Sequence, residues 1–148
     1  MKDRKRLERT YGGFYNKYPY YPLHHSSLGC YYCGESKQCV DHCPPLCAIE
    51  LMTIVEWSKN GFELITLPSC SDCNSILGSA PLYTRLDRAE RIRTVLESRY
   101  EHQHVLWSDD DLAEMSDMFA SGIRARRDKR DRLPDRIRHV HWRCVNPE

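Results

Sequence analysis

The sequence predicts an α+β chain, with a small zinc-bound unit followed by C-terminal helices. Two observations carry this. Two Cys-x-x-Cys pairs, Cys30–Cys33 and Cys70–Cys73, stand 36 residues apart. From about Thr84, apolar residues recur at three- and four-residue steps, as on one face of an amphipathic helix. At 148 residues the chain suits one domain with a moderate core.

Taken in order, residues 1–27 read as a basic, Tyr- and Pro-containing arm without sustained period, expected to be irregular or extended. Residues 28–107 hold the zinc-stabilised unit. Within it, Ile49–Ser58 is expected as a short helix, Asn60-Gly61 as a turn, and Phe62–Leu67 as a strand ending at Pro68. Leu86, Ala89, Ile92, Leu96 and Tyr100 then mark one face of a longer helix, with Val95 beside them. Residues 108–148 are expected as a helical, basic C-terminal extension. Ser108 is placed to cap its first helix, with Asp109, Asp110 and Asp111 at the positive end of the dipole and Leu112, Met115 and Phe119 as its apolar side. Ile137, Val140 and Trp142, beyond Pro134, suggest a last short element of undetermined type.

The first residues, MKDRKRLERTYGG, lack the apolar stretch of a signal peptide, and no run of about 18 apolar residues occurs. The expectation is a cytoplasmic chain with no membrane partner. In a reducing compartment, eight cysteines are expected as metal ligands or buried thiols rather than disulfides. Two residues between cysteines let a tight turn aim both sulfurs at one point, and two such turns complete a tetrahedron around Zn²⁺. Cys30, Cys33, Cys70 and Cys73 are therefore the candidate ligands of a closed, structural site. Cys39, Cys43, Cys47 and Cys144 read as small buried hydrophobes.

The order CYYCG, VDHCPPL, a strand, then LPSCSDCNSILG resembles the HNH endonuclease family in its zinc-knuckle form, as found in phage and bacterial proteins. The match spans about residues 29–80, with the helices to about residue 107 also fitting. The resemblance implies a ββα-metal, treble-clef-like unit with Asp41-His42 on or just after its first strand and Asn74 opening the helix after the second knuckle. It implies a metal-dependent endonuclease hydrolysing DNA phosphodiesters, in which His42 is the general base and Asp41 and Asn74 hold Mg²⁺ or Mn²⁺. Those residue types suit the chemistry: an imidazole titrating near neutrality accepts the water proton, and carboxylate and amide oxygens are hard donors. Many members carry a further His or Lys after the Asn, whereas Ser75, Ile76, Leu77 and Gly78 follow here. His24, His25 and Asp72 are the candidates to replace it.

The net charge of +1 conceals basic ends. Residues 1–9 carry five Lys/Arg against two acids, and residues 121–143 nine against three. Such runs suit phosphate contact, which makes Lys2, Arg4, Lys5, Arg6, Arg124, Arg126, Arg127, Lys129 and Arg130 candidate contacts to DNA; the same runs also read as solvated helix faces. Such an enzyme would nick one strand, or cut both as a homodimer. The alternative from another class is a non-catalytic zinc module that binds nucleic acid or a protein.

Overall fold

A computed structural model describes residues 2–17, 29–102 and 107–146, so His24, His25 and His104 lie outside the described residues. The chain begins with a helix, α1 (Lys2–Tyr11), where an irregular or extended arm is expected from the sequence. Lys, Arg, Glu and Leu favour helix, and no Gly or Pro interrupts them before Gly12. A helix of this length is marginal alone. Docking holds it: Leu7 is buried, Tyr11 packs beside it, and both Nη groups of Arg6 donate to Glu50 at 3.1 Å.

Strands β1 (Asn16–Lys17), β2 (Cys39–Cys43) and β3 (Ile65–Ser69) form one sheet with β3 in the middle, parallel to β1 and antiparallel to β2. The register sets Asp41 opposite Leu67 and His42 opposite Thr66. The strand expected to stop at Pro68 runs through it to Ser69. Proline is tolerated because β1 covers only Ile65 and Thr66, so no strand needs an N–H from Pro68 on that side, where its carbonyl accepts from Tyr31 N.

Between β2 and β3 the expected single helix is two pieces, a 3₁₀ segment (Leu46–Leu51) and α2 (Ile54–Lys59). Thr53 breaks and restarts the chain: its hydroxyl accepts from Glu56 N while the Glu56 carboxylate accepts from Thr53 N at 2.7 Å, a capping box. This insertion builds a small second core from Leu7, Tyr15, Leu46, Ala48, Ile49 and Trp57. Trp57 packs edge-to-face on Phe62 and Tyr83 and donates Nε1–H to Ile49 O at 3.0 Å.

The helices that follow are α3 (Ser71–Leu77), α4 (Arg85–His102), α5 (Asp109–Ala113), α6 (Asp117–Asp131) and α7 (Leu133–Val145). Ser108 caps α5 as expected, in a box with Asp111. On α4 the predicted stripe buries Ala89, Ile92 and Leu96, whereas Leu86 and Tyr100 at its margins stay partly exposed. The C-terminal residues are less of an appendage than the sequence suggests. Leu133 and Val140 of α7 belong to the main core, with Ile92 and Leu96 of α4, Leu67 of β3 and the four paired cysteines. The structure is thus mixed α+β, mostly helical, with a three-stranded sheet and a four-cysteine cluster. No helix among the described residues is long and apolar enough to cross a membrane.

Candidate metal centre and the adjoining cleft

The first knuckle is a turn closed by Gly34 N donating to Cys30 O at 3.0 Å. Gly34 has φ 76°, which glycine adopts without strain, and a Cβ there would meet His139 Nδ1 at 3.2 Å. The second knuckle is the start of α3: Cys70 is its N-cap, and Cys73 N donates to Cys70 Sγ at 3.4 Å. Tyr31 N donates to Pro68 O at 2.8 Å and ties the first knuckle to β3, the strand that leads into the second.

These turns bring Cys30, Cys33, Cys70 and Cys73 together, all buried, with their sulfurs within 4.8 Å of one another. Cys33 and Cys70 Sγ are 3.7 Å apart, against roughly 3.8 Å for a tetrahedron with Zn–S bonds of about 2.3 Å. The donor set therefore fits Zn²⁺ in a closed site with no open position. Among the described residues this is the single group of three or more His, Cys, Asp or Glu side chains close enough to hold an ion. Of the other cysteines, Cys43 is buried as expected and Cys39 and Cys144 are half-buried. Cys47 is exposed, contrary to expectation, because the 3₁₀ segment buries its neighbours Leu46 and Ala48 instead.

A separate cleft of about 300 Å³ has Asp41, His42 and Asn74 in its lining, together with Arg4 and Leu7 of α1. β2 is an edge strand, so residues from both of its faces reach this space. His42 is 9% exposed and sits edge-on to the Tyr15 ring, 5.0 Å between centroids. Burial lowers its pKa, Arg4 and Arg88 act in the same direction, and Glu8 and Asp41 oppose them. The imidazole is thereby biased to its neutral form.

Asp41 is placed differently from the metal ligand that the motif implies. Its carboxylate is gripped by Arg88 of α4, with Nε donating to Oδ2 at 2.8 Å and Nη2 to Oδ1, while Tyr32 OH donates to Oδ2 at 2.5 Å. Arg88 Nη1 donates to Leu82 O at 2.9 Å. Both charges are buried, at 5% and 1% exposure. Such a two-pronged pair directs the carboxylate away from a cation. Arg88 and Tyr32 are the residues that sequence reasoning misses. The available signal is that Arg88 lies in phase with Ile92 and Leu96, on a stripe otherwise apolar.

The expected phosphate contacts divide. Arg4 lines the cleft, and Lys5, Arg124, Arg126 and Lys129 are exposed. Arg6 is engaged by Glu50, Arg127 by Asp109 and Trp107 O, and Arg130 approaches Asp131 and lies 6.0 Å from the Tyr100 ring centroid. The side chain of Lys2 lies outside the described residues.

Two outcomes follow from this geometry. Elemental analysis of the purified protein should find one zinc per chain, and Cys73→Ser or a strong chelator should lose both metal and cooperative unfolding, since structural zinc contributes about 10 kcal/mol or more. Arg88→Met should cost about 3–5 kcal/mol in urea unfolding because it strands a buried carboxylate. The double variant Asp41→Leu/Arg88→Met should recover most of that loss, and equal stability of the single and double variants would contradict the pairing.

Comparisons with protein-family models, curated proteins and solved structures give no match for this chain.

Proposed function

We propose that the protein is a metal-dependent endonuclease of HNH type that hydrolyses phosphodiesters in DNA. The observation that carries this reading is that His42 on β2 and Asn74, the residue after Cys73 of the four-cysteine cluster, line one cleft. In this reading β2, β3 and α3 are the ββα unit, and zinc at the four thiolates fixes α3 relative to the sheet.

His42 is the general base. Its burial keeps the ring neutral and able to accept a proton from water at neutral pH. Arg4 faces the same cleft and would contact a phosphate oxygen. Asn74 would hold the divalent cation through its carbonyl oxygen, with phosphate oxygens and waters completing the set. When bound, Mg²⁺ or Mn²⁺ would stabilise charge on the leaving 3′ oxygen. Asp41, engaged by Arg88 and Tyr32, takes a structural part in place of the ligand role: it fixes the strand that carries His42.

That same engagement favours a second reading, a zinc module without catalysis that binds nucleic acid or protein. Plasmid incubated with pure protein and Mg²⁺ or Mn²⁺ separates the two. Cleavage is expected, with His42→Ala reducing it about 10²–10⁴-fold and Asn74→Ala also reducing it. No cleavage by the parent, or equal cleavage by His42→Ala, supports the module instead.

The pH dependence follows from the direction of the His42 shift. A lowered folded pKa means that the unfolded chain takes up the proton first. Stability from this group is then complete above about pH 6.5 and declines as pH falls further. Cleavage should likewise hold its rate through about pH 6.5 and fall below it. An acid limb centred above neutrality in a pH–rate profile would contradict the assignment.

A further inference from the structure

Three side chains of α7 land on the two knuckles. Arg136 Nη2 lies 3.9 Å from Cys73 Sγ and donates to Asp72 Oδ2 at 2.7 Å. His139 stands against Gly34. The buried Arg143 donates Nε–H to Tyr31 O at 3.1 Å and stacks over the Tyr31 ring at 4.5 Å. Their spacing, i, i+3 and i+7, is one face of a helix. α7 thus touches both turns that present the cysteines, from a sequence distance of more than 60 residues.

Charge gives this contact a purpose. Four thiolates around one Zn²⁺ leave two negative charges, and outer groups that hydrogen-bond to the ligands tune affinity. The 550 Å³ cavity outside Cys70 is lined by Arg99, Lys129, Arg132 and Arg136 but only two acids, Asp72 and Glu35. Its excess of two positive charges equals the negative charge of the zinc–thiolate group behind it. The cavity therefore needs no further anion to explain its arginines. Arg136 is the cation of that set in contact with a cysteine sulfur, and Asp72 pins it in place, itself held by Arg99 at 2.9 Å.

We infer that Arg136 is a positioning residue for the four-cysteine metal centre, that it holds the thiolate charge and the second knuckle in place, and that zinc occupancy and docking of α7 are coupled through it. The inference rests on zinc binding by the four cysteines and is independent of catalysis. The test is zinc affinity of the full chain, measured by competition with a chromophoric chelator. Arg136→Met should weaken zinc binding about 10–100-fold. Arg136→Lys, which keeps the charge, should lose less. Ile137→Ala loosens the same helix without altering charge and, through the coupling alone, should lower zinc affinity much less than Arg136→Met does. Hydrogen exchange in α7 should quicken when zinc is stripped from the parent. Parent-like affinity in Arg136→Met, or an equal loss in Ile137→Ala, would overturn the inference. Should Arg136→Met fail to fold, Arg136→Lys decides: a loss beyond about tenfold counts against charge as the cause.

Discussion

The convergence of four sulfurs on one point is the constraint from which the rest of the arrangement follows. One pair lies on a turn between β1 and β2, and the other sits where β3 gives way to α3. Joining them fixes where α3 starts, and Asn74 lies one turn from Cys70, whose carbonyl accepts its N–H at 3.0 Å. The loop between the first pair and β2 is fastened to the same strand, since Tyr31 N bonds Pro68 O and Gln38 N bonds Ser69 O. The metal centre and the cleft wall are thus two sides of one short piece of chain. This small core gains little from the sheet, because β1 contributes only two residues and β2 five. Zinc held at the four cysteines would contribute many kilocalories per mole to folding, in proportion to that deficit.

The Asp41–Arg88 pair is the second constraint, and it acts from the other side. A buried ion pair is not in itself strong evidence of stability, because desolvation consumes most of the Coulomb attraction. What it supplies is direction. Arg88 spans α4 to β2, and its third donor reaches Leu82 O in the segment before α4. The strand is held from α4 through Asp41, and the neighbouring His42 packs edge-on to Tyr15. Alternation along a strand sends adjacent side chains to opposite faces. Asp41 and His42 thus leave opposite faces of β2 although both line the cleft, and it is the carboxylate that Arg88 occupies.

Features encoded by near neighbours are legible in the sequence: the cysteine spacing, the Ser108 cap and the helix from about Thr84, while the strand under Asp41 and His42 follows only from the family resemblance. Features set by distant packing are not. Whether Asp41 faces a cation or a guanidinium depends on which residue α4 presents to β2, 47 positions away, and helical period alone places Arg88 on the stripe without naming its partner. α1 was a different failure. Its helix formers were plain, but the tyrosines and prolines that follow Gly12-Gly13 weighed on the reading of the whole arm. The Thr53–Glu56 box was also written in the sequence, and would have divided the insertion correctly.

The basic C-terminal segment shows why a run of charge is a weak guide to partners. Arginines at residues 124 and 126 face solvent and remain available to phosphate, whereas Arg127 is drawn to Asp109. Further along, Arg136 and Arg143 turn inward to Asp72 and the Tyr31 carbonyl, while the exposed Arg132 pairs with Glu35. The inward ones occur where α7 crosses the two knuckles, and four thiolates around a bound metal would supply the reason: a region that concentrates negative charge in a buried place requires cations close by. The same residues that suggest a nucleic-acid surface in sequence are, in space, divided between solvent and the metal centre. Counting Lys and Arg along the tail therefore overstates the phosphate contacts it can make, and any salt dependence of binding should be assigned first to the exposed residues of α1 and α6.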